Sequence, residues 1–566
     1  MFARLPACPR PRCRAASNSR LTRIISSTAC IANIHPRRQS GQPLKKLKIV
    51  DGSVLHRYLR CLTILTDAPG DLSSKELISH LPVLSRIVSR SGTPLAVFLL
   101  TPSLTRLLGD DHHFLHNAVS RLFPAAETIR TLAAVVDRLP EKPRSLSQDA
   151  GGGGEGLSVL ITVSDVERHS HYSIPTAGGS REAGTGHEQG THISFSIPGS
   201  ECLPDASFCR FQRVDVPLAN TVFQNGRQST LLSLGWSRGH SRELRCTSSL
   251  GTGNSDVFLP RAPKAWRSTR HIPLISITVP RRVVTGVGNI IRHIALDPIQ
   301  TQEANGSEGE GVDMPATTIP ASQELESAVQ AYFKRHGLQL RQVGIWALIM
   351  PQEHSSGDWA GYHRVSGDSI TRKDLRQWFD KAYELGQPIR MKARDRLHRV
   401  LSGGGGWGKK QGLLALDPEV TCETREDMLS ELGTGERDEE PTTLGEIVKP
   451  GDFVQFFIHE PHLQPSPYQE DLKFPDSTIM FGSIPSSIDA VSDELLKPPL
   501  ERHGRLEVIE DQFGALSEHG IGHKLVDYAL SEAGEYEPQS PLSGPVAQTK
   551  VDVPFSTFHY YYRKDP

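Results

Sequence analysis

The chain has 566 residues, enough for two or three domains, and its 37% hydrophobic and 22% charged content is that of a globular protein with loop insertions. No uninterrupted apolar run reaches membrane-spanning length, which argues against an integral helical membrane protein. The formal charge of −1 includes an Arg-rich start, so the remainder is moderately acidic, which argues against a globally basic nucleic-acid binder.

Residues 1–47 are rich in Arg, Ser and Ala, and the first acidic residue is Asp51. Such a segment predicts a mitochondrial presequence, its best amphipathic stretch at residues 20–34, to be met by the import machinery. The other reading is a basic tail without an address. Cys8, Cys13 and Cys30 lie in this leader. The other five of the 8 cysteines form no CxxC pair, so neither a zinc ribbon nor a disulfide framework is expected.

A helix is predicted within residues 71–88, opened by a capping box of Ser73 and Glu76. A buried strand follows at 94–100, a helix at 110–123, and strands at 131–137 and 156–165. Low-complexity insertions near 145–156 and 176–191 are too polar and glycine-rich to pack, so mobile loops are expected there. Alternation then predicts strands through 192–236, with Asn225-Gly226 as a two-residue hairpin turn, and another at 271–280.

Beyond a polar break, an amphipathic helix is predicted at 323–337, with Leu325, Val329, Tyr332 and Phe333 on one face and Gly337 as its stop. A buried strand at 343–350 and a helix at 371–386, capped by Thr371 and Asp374, come next. The last unit is β-rich. These elements predict an α/β to α+β fold, with mixed sheets flanked by helices. The expected units are a leader (1–47), an N-terminal α/β unit (48–298), a linker (299–321), a helix–strand unit (322–420), an acidic linker (421–445) and a C-terminal unit (446–566).

The sharpest motif is "SGGGGWGKK", where Gly403, Gly408 and Lys409 have the spacing of a phosphate loop. Its hydroxyl position holds Lys410. The preceding residues place Ile389, Ala393, Leu397 and Leu401 at helical spacing, which predicts a helix whose C-terminal dipole would repel anions. Against this, Arg390, Lys392, Arg394, Arg396 and Arg399 crowd the approach to Gly403, Gly404, Gly405, Gly406, Trp407, Gly408, Lys409 and Lys410. That is a concentrated positive field with one stacking ring, suited to an anionic small molecule, RNA or an acidic protein surface. It is equally a solvated basic face leading to a hinge, or a patch that docks internally on the acidic linker.

Weaker signals lie elsewhere. Gly286 and Gly288 give a GxG without a third glycine, Ile291 standing in that place, and a tight turn is the better reading. His112 and His116 are one helical turn apart beside Asp110 and Asp111, but no third metal ligand can be assigned. His519 and His523 flank two glycines in what reads as an exposed turn. No metal site is expected. No nucleophile elbow or cysteine signature is present, so no cofactor and no catalytic residue can be named.

The phrases "PLANTVFQNGRQSTL", "PRRVVTGVGNIIRHI", "PASQELESAVQAYF" and "RLHRVLSGGGGWGKKQGLLALDP" resemble those of an uncharacterised filamentous-fungal protein family of mitochondrial type, which implies no established activity. The order of elements around "LFPAAETIRTLAAVVDRLP" resembles FIST sensory domains, and that resemblance implies small-ligand binding by the first third. The expectation is an imported matrix protein with a ligand- or partner-binding role. The alternatives are an enzyme using a nucleotide or phosphoester at the glycine-rich loop, and an organellar assembly or RNA-associated factor.

Overall fold

The computed structural model describes residues 59–84, 93–109, 111–141, 153–164, 192–198, 208–239, 243–249, 256–259, 266–295, 318–339, 343–351, 389, 391, 395–403, 412–419, 447–460, 477–485, 506–530, 536–538 and 548–562. The leader, the 176–191 insertion, the helix expected at 371–386 and the acidic linker lie outside them.

Strands make up 55% of the described residues and helices are few, so the expected helix-flanked α/β architecture is corrected to stacked β-sheets. The first sheet has seven strands. In sheet order these are β20 (Leu506–Glu510), β1 (Arg60–Thr66), β4 (Glu155–Ser164), β2 (Thr93–Leu100), β3 (Thr128–Val135), β7 (Leu231–Arg238) and β8 (Leu244–Ser249). Only β2 and β3 pair in parallel within it. Both of its faces are buried. Leu95, Val97 and Leu99 point into one core and Ala96, Phe98 and Leu100 into another, which is why residues 94–100 read as an unbroken apolar run.

Helices cover one of those faces alone. They are α1 (Ser74–His80) and α2 (His113–Leu122), with a 3-10 turn at Pro102–Leu108; Leu77, Leu104, Phe114 and Leu122 supply the apolar side. The Ser73 hydroxyl accepts from the Glu76 backbone amide at 3.2 Å, as the capping box requires. At residues 221–226 the hairpin expectation is corrected. A short helix, α3 (Val222–Asn225), ends on Gly226 at φ 75°, so the Asn-Gly pair caps a helix rather than turning a hairpin.

A second sheet runs β10 (Trp266–His271), β25 (Thr557–Tyr562), β19 (Ser477–Ser483), β21 (Gln512–Ser517). A third, six-stranded sheet runs β23 (Tyr536–Pro538), β22 (Ile521–Leu530), β6 (Phe208–Pro217), β5 (His192–Pro198), β9 (Asp256–Phe258), with β24 (Thr549–Val551) also on β22. The free face of the first sheet and the inner faces of these two share one core. In it Phe195 meets Phe481 at 4.7 Å and Phe513 at 5.7 Å between ring centroids.

The remaining strands close on themselves. β18 (Phe453–His459), β12 (Arg281–Val287), β13 (Ile290–Ala295), β17 (Leu414–Leu416), β16 (Arg396–Gly403) and β15 (Ile345–Met350) pair in that order, all antiparallel, and β15 pairs back onto β18. β11 (Leu274–Ser276) and β14 (Thr318–Pro320) attach outside the ring. The result is a six-stranded barrel filled by Val283, Ile291, Ala347, Ile349, Leu414, Val454 and Phe456. Helix α4 (Ala321–His336) adds Ala321 and Leu325 to that interior and stops at Gly337, in the left-handed region at φ 63°.

Strand pairing runs across the segments drawn from the sequence. β1 pairs with β20, β10 with β25 and β6 with β22, and residues 51–566 form one compact unit. The end of the first low-complexity insertion is also built in: Gly154 pairs with Leu139, and Glu155 and Gly156 open β4.

Candidate functional site

The glycine-rich segment joins β16 to β17, which are neighbours in the barrel with Gly403 opposite Leu414. The expected helix before it is corrected from Arg396 onward, where the chain is a strand. Leu397 and Leu401 are four apart, a spacing that fits two strand periods as well as one helical turn. Leu397 enters the inter-sheet core, while Val400 packs against the barrel interior. The next described element after the segment is the strand β17, where a phosphate loop would open a helix.

The arginines expected to form one positive field are divided between opposite faces of β16. Arg396 lies on the His398 side, where its guanidinium donates to the Ile447 carbonyl at 2.9 Å beside the charge of Asp452. Arg399 lies on the other side, its guanidinium 5.9 Å from the Trp346 ring centroid and paired in register with that residue. Between them His398 is buried, with Nδ1 2.9 Å from the Asp417 carbonyl; burial lowers its pKa to about 4, so it is neutral. Arg394 and the residues Gly404, Gly405, Gly406, Trp407, Gly408, Lys409 and Lys410 lie outside the described residues.

Arg399 belongs to a charged cluster that sequence reasoning missed. The Trp346 indole donates to Asp552 Oδ1 at 2.7 Å, and Lys550 pairs with Glu419. Burial pushes the Asp552 carboxyl up, opposed by the indole hydrogen bond and then by Lys550. Burial works against the Lys550 charge, yet the hydrogen bond and charge of Glu419, with Asp552 and Asp417, carry its pKa upward. Two cations thus face three carboxylates. The cluster has no positive surplus for an outside anion, and it fastens β16 to β24, where Thr549 Oγ1 also accepts from the Leu397 amide at 3.0 Å. No local signal marks it, because the indole and its carboxylate are 206 residues apart.

The weaker motifs resolve into structural roles. His112 precedes α2 in the left-handed region at φ 49°, and His116 Nε2 lies 3.1 Å from the Leu244 carbonyl. Among the described residues no three His, Cys, Asp or Glu side chains gather as a metal site would need. Gly288 turns the β12–β13 hairpin at φ 63°, in keeping with a tight turn rather than a dinucleotide loop. His523 corrects the exposed-turn expectation, being 6% exposed within β22. Among the described residues no helix is long and apolar enough to cross a membrane. Comparison with protein-family models, with curated proteins and with solved structures gives no match.

Proposed function

We propose that the chain is a ligand- or partner-binding protein of sensor or adaptor type, and that it meets an anionic group through Lys409 and Lys410, with Trp407 beside them. The observation that carries this is the connection from β16 to β17. β16 and β17 are neighbouring strands of the barrel, and Arg396 and Arg399, which precede the segment, already have internal partners. Lys409 and Lys410 are the cations of the motif on which the proposal rests. A phosphocellulose column tests it. Lys409→Ala with Lys410→Ala should elute at clearly lower salt than the parent chain, because two phosphate-facing cations are gone. Equal elution removes the proposal.

The basic, acid-free leader supports a mitochondrial, matrix location. Residues 1–50 fused ahead of a fluorescent protein should direct it to mitochondria. A diffuse cytosolic signal overturns that placement.

A further inference from the structure

Residues 257–296 contain seven Lys or Arg and no Asp or Glu, in a chain whose 63 basic and 64 acidic residues nearly balance. β12 and β13 form a hairpin within this stretch, turned at Gly288. Its inner positions, Val283, Ile291 and Ile294, help to fill the barrel. Arg282, Thr285, Val287 and Arg292 are exposed, and the Thr285 hydroxyl lies 2.9 Å from His293 Nδ1. Val287, beside the turn, is 74% exposed. The hairpin is held on both sides, β12 by β18 and β13 by β17.

The apolar surface continues from the hairpin into the next strands. Val287 is opposite Ile290, Ile290 is opposite Ala415 of β17, and Ala415 is opposite Ser402 of β16. Neighbouring strands lie about 4.8 Å apart, so these positions form one row. Ile290 and Ala415 are half-buried, and Leu401, at the irregularity before Ser402, is 57% exposed. A single exposed valine is ordinary; here it is accompanied by a second apolar side chain and by uncompensated charge. Arg281 is taken by Glu324 at 3.0 Å, but Arg282 and Arg292 form no ion pair or hydrogen bond among the described residues. Asp452, whose carbonyl accepts from the Val283 amide, is 6% exposed, and its carboxylate accepts from the Lys449 amide.

We propose that this face of the barrel docks on an anionic phospholipid bilayer, with Val287 and Leu401 entering the acyl boundary and Arg282 and Arg292 meeting lipid phosphates. Exposed apolar side chains beside cations without partners are what an interfacial contact uses. The planar guanidinium fork matches phosphate oxygens, and an anionic leaflet attracts such residues. A bilayer also deforms around an exposed side chain at a turn, where a rigid surface would need a socket shaped for it. A duplex groove admits a two-stranded ribbon, but this hairpin is hydrogen-bonded to further strands on both sides and does not stand free to enter one. The proposal goes beyond the reading through Lys409 and Lys410 and uses neither residue.

Flotation of the full chain with vesicles of phosphatidylcholine and phosphatidylserine, compared with phosphatidylcholine alone, tests this. The basic leader is itself drawn to anionic vesicles, so the deciding readouts are local. On the anionic vesicles Val287→Trp should show quenching by brominated phospholipid beyond that of the parent chain. Val287→Ser with Leu401→Ser should weaken binding about fivefold or more through lost apolar burial. Arg282→Gln with Arg292→Gln should weaken it about tenfold or more. All four side chains are exposed, so each variant should melt with the parent chain. No added quenching in Val287→Trp, undiminished binding in either double variant, or equal binding to both kinds of vesicle overturns the proposal. So does a loss, in the same variants, of RNA binding or self-association in place of vesicle binding, which would give the surface to that partner.

Discussion

Gly514→Ala is expected to be among the most damaging single-methyl changes in the molecule. Gly514 sits in β21 opposite Met480 of β19, in one of the few parallel pairings. An added Cβ would lie 1.9 Å from the Met480 carbonyl oxygen and 2.8 Å from its carbon. Both obstacles are backbone, so no rotamer change relieves them, and the two strands would have to part. Every residue of β21 is buried, and Phe513 and Ala515 belong to the shared core, so parting the strands opens that core. The cost should exceed about 4 kcal/mol, the range reserved for severe backbone or core disruption. Gly70→Ala is the control, because no atom lies within 4 Å of its added Cβ. Urea midpoints should collapse for the first and hold for the second. An unchanged midpoint for Gly514→Ala would falsify the β19–β21 register.

The second large effect is acid sensitivity. His398 is 2% exposed and titrates near 4 when folded, against 6.5 in the unfolded chain. Between those values the unfolded chain takes up a proton that the folded chain refuses. Stability is therefore highest above pH 6.5 and falls as the pH drops toward 4, by on the order of 3 kcal/mol from this residue. His559, also near 4, acts in the same direction, and Asp552, whose carboxyl is raised, acts against them. Stability measured at pH 7 and pH 4.5 should differ less in His398→Asn, whose amide can still reach the Asp417 carbonyl. An identical difference in both chains would show that His398 titrates freely.

What the sequence revealed follows the range of the interactions concerned. The cap at Ser73, the stop at Gly337 and the buried run of β2 are decided within a few residues, and all three are present. The barrel is not local. Its closing pair joins β15 to β18, which are separated by about a hundred residues, and nothing in either strand announces the other. The error at 396–401 has a local cause, since apolar positions four apart satisfy both helix and strand. The charges of Arg396 and Arg399 were visible, but their separation onto two faces follows only from knowing that the segment is a strand.

The pairing of β1 with β20 sets the order of events at the ribosome. Thr63 donates to the Gln512 carbonyl across 449 residues of chain. At about 5–20 residues per second, roughly 20–90 s of synthesis separates the two. Throughout that interval one edge of β1 lacks its neighbour, and the aromatic residues of β19 and β21 do not yet exist to cover the first sheet. The nascent chain must therefore be kept from sticking to others for most of its own synthesis, which makes this fold a natural client of chaperones.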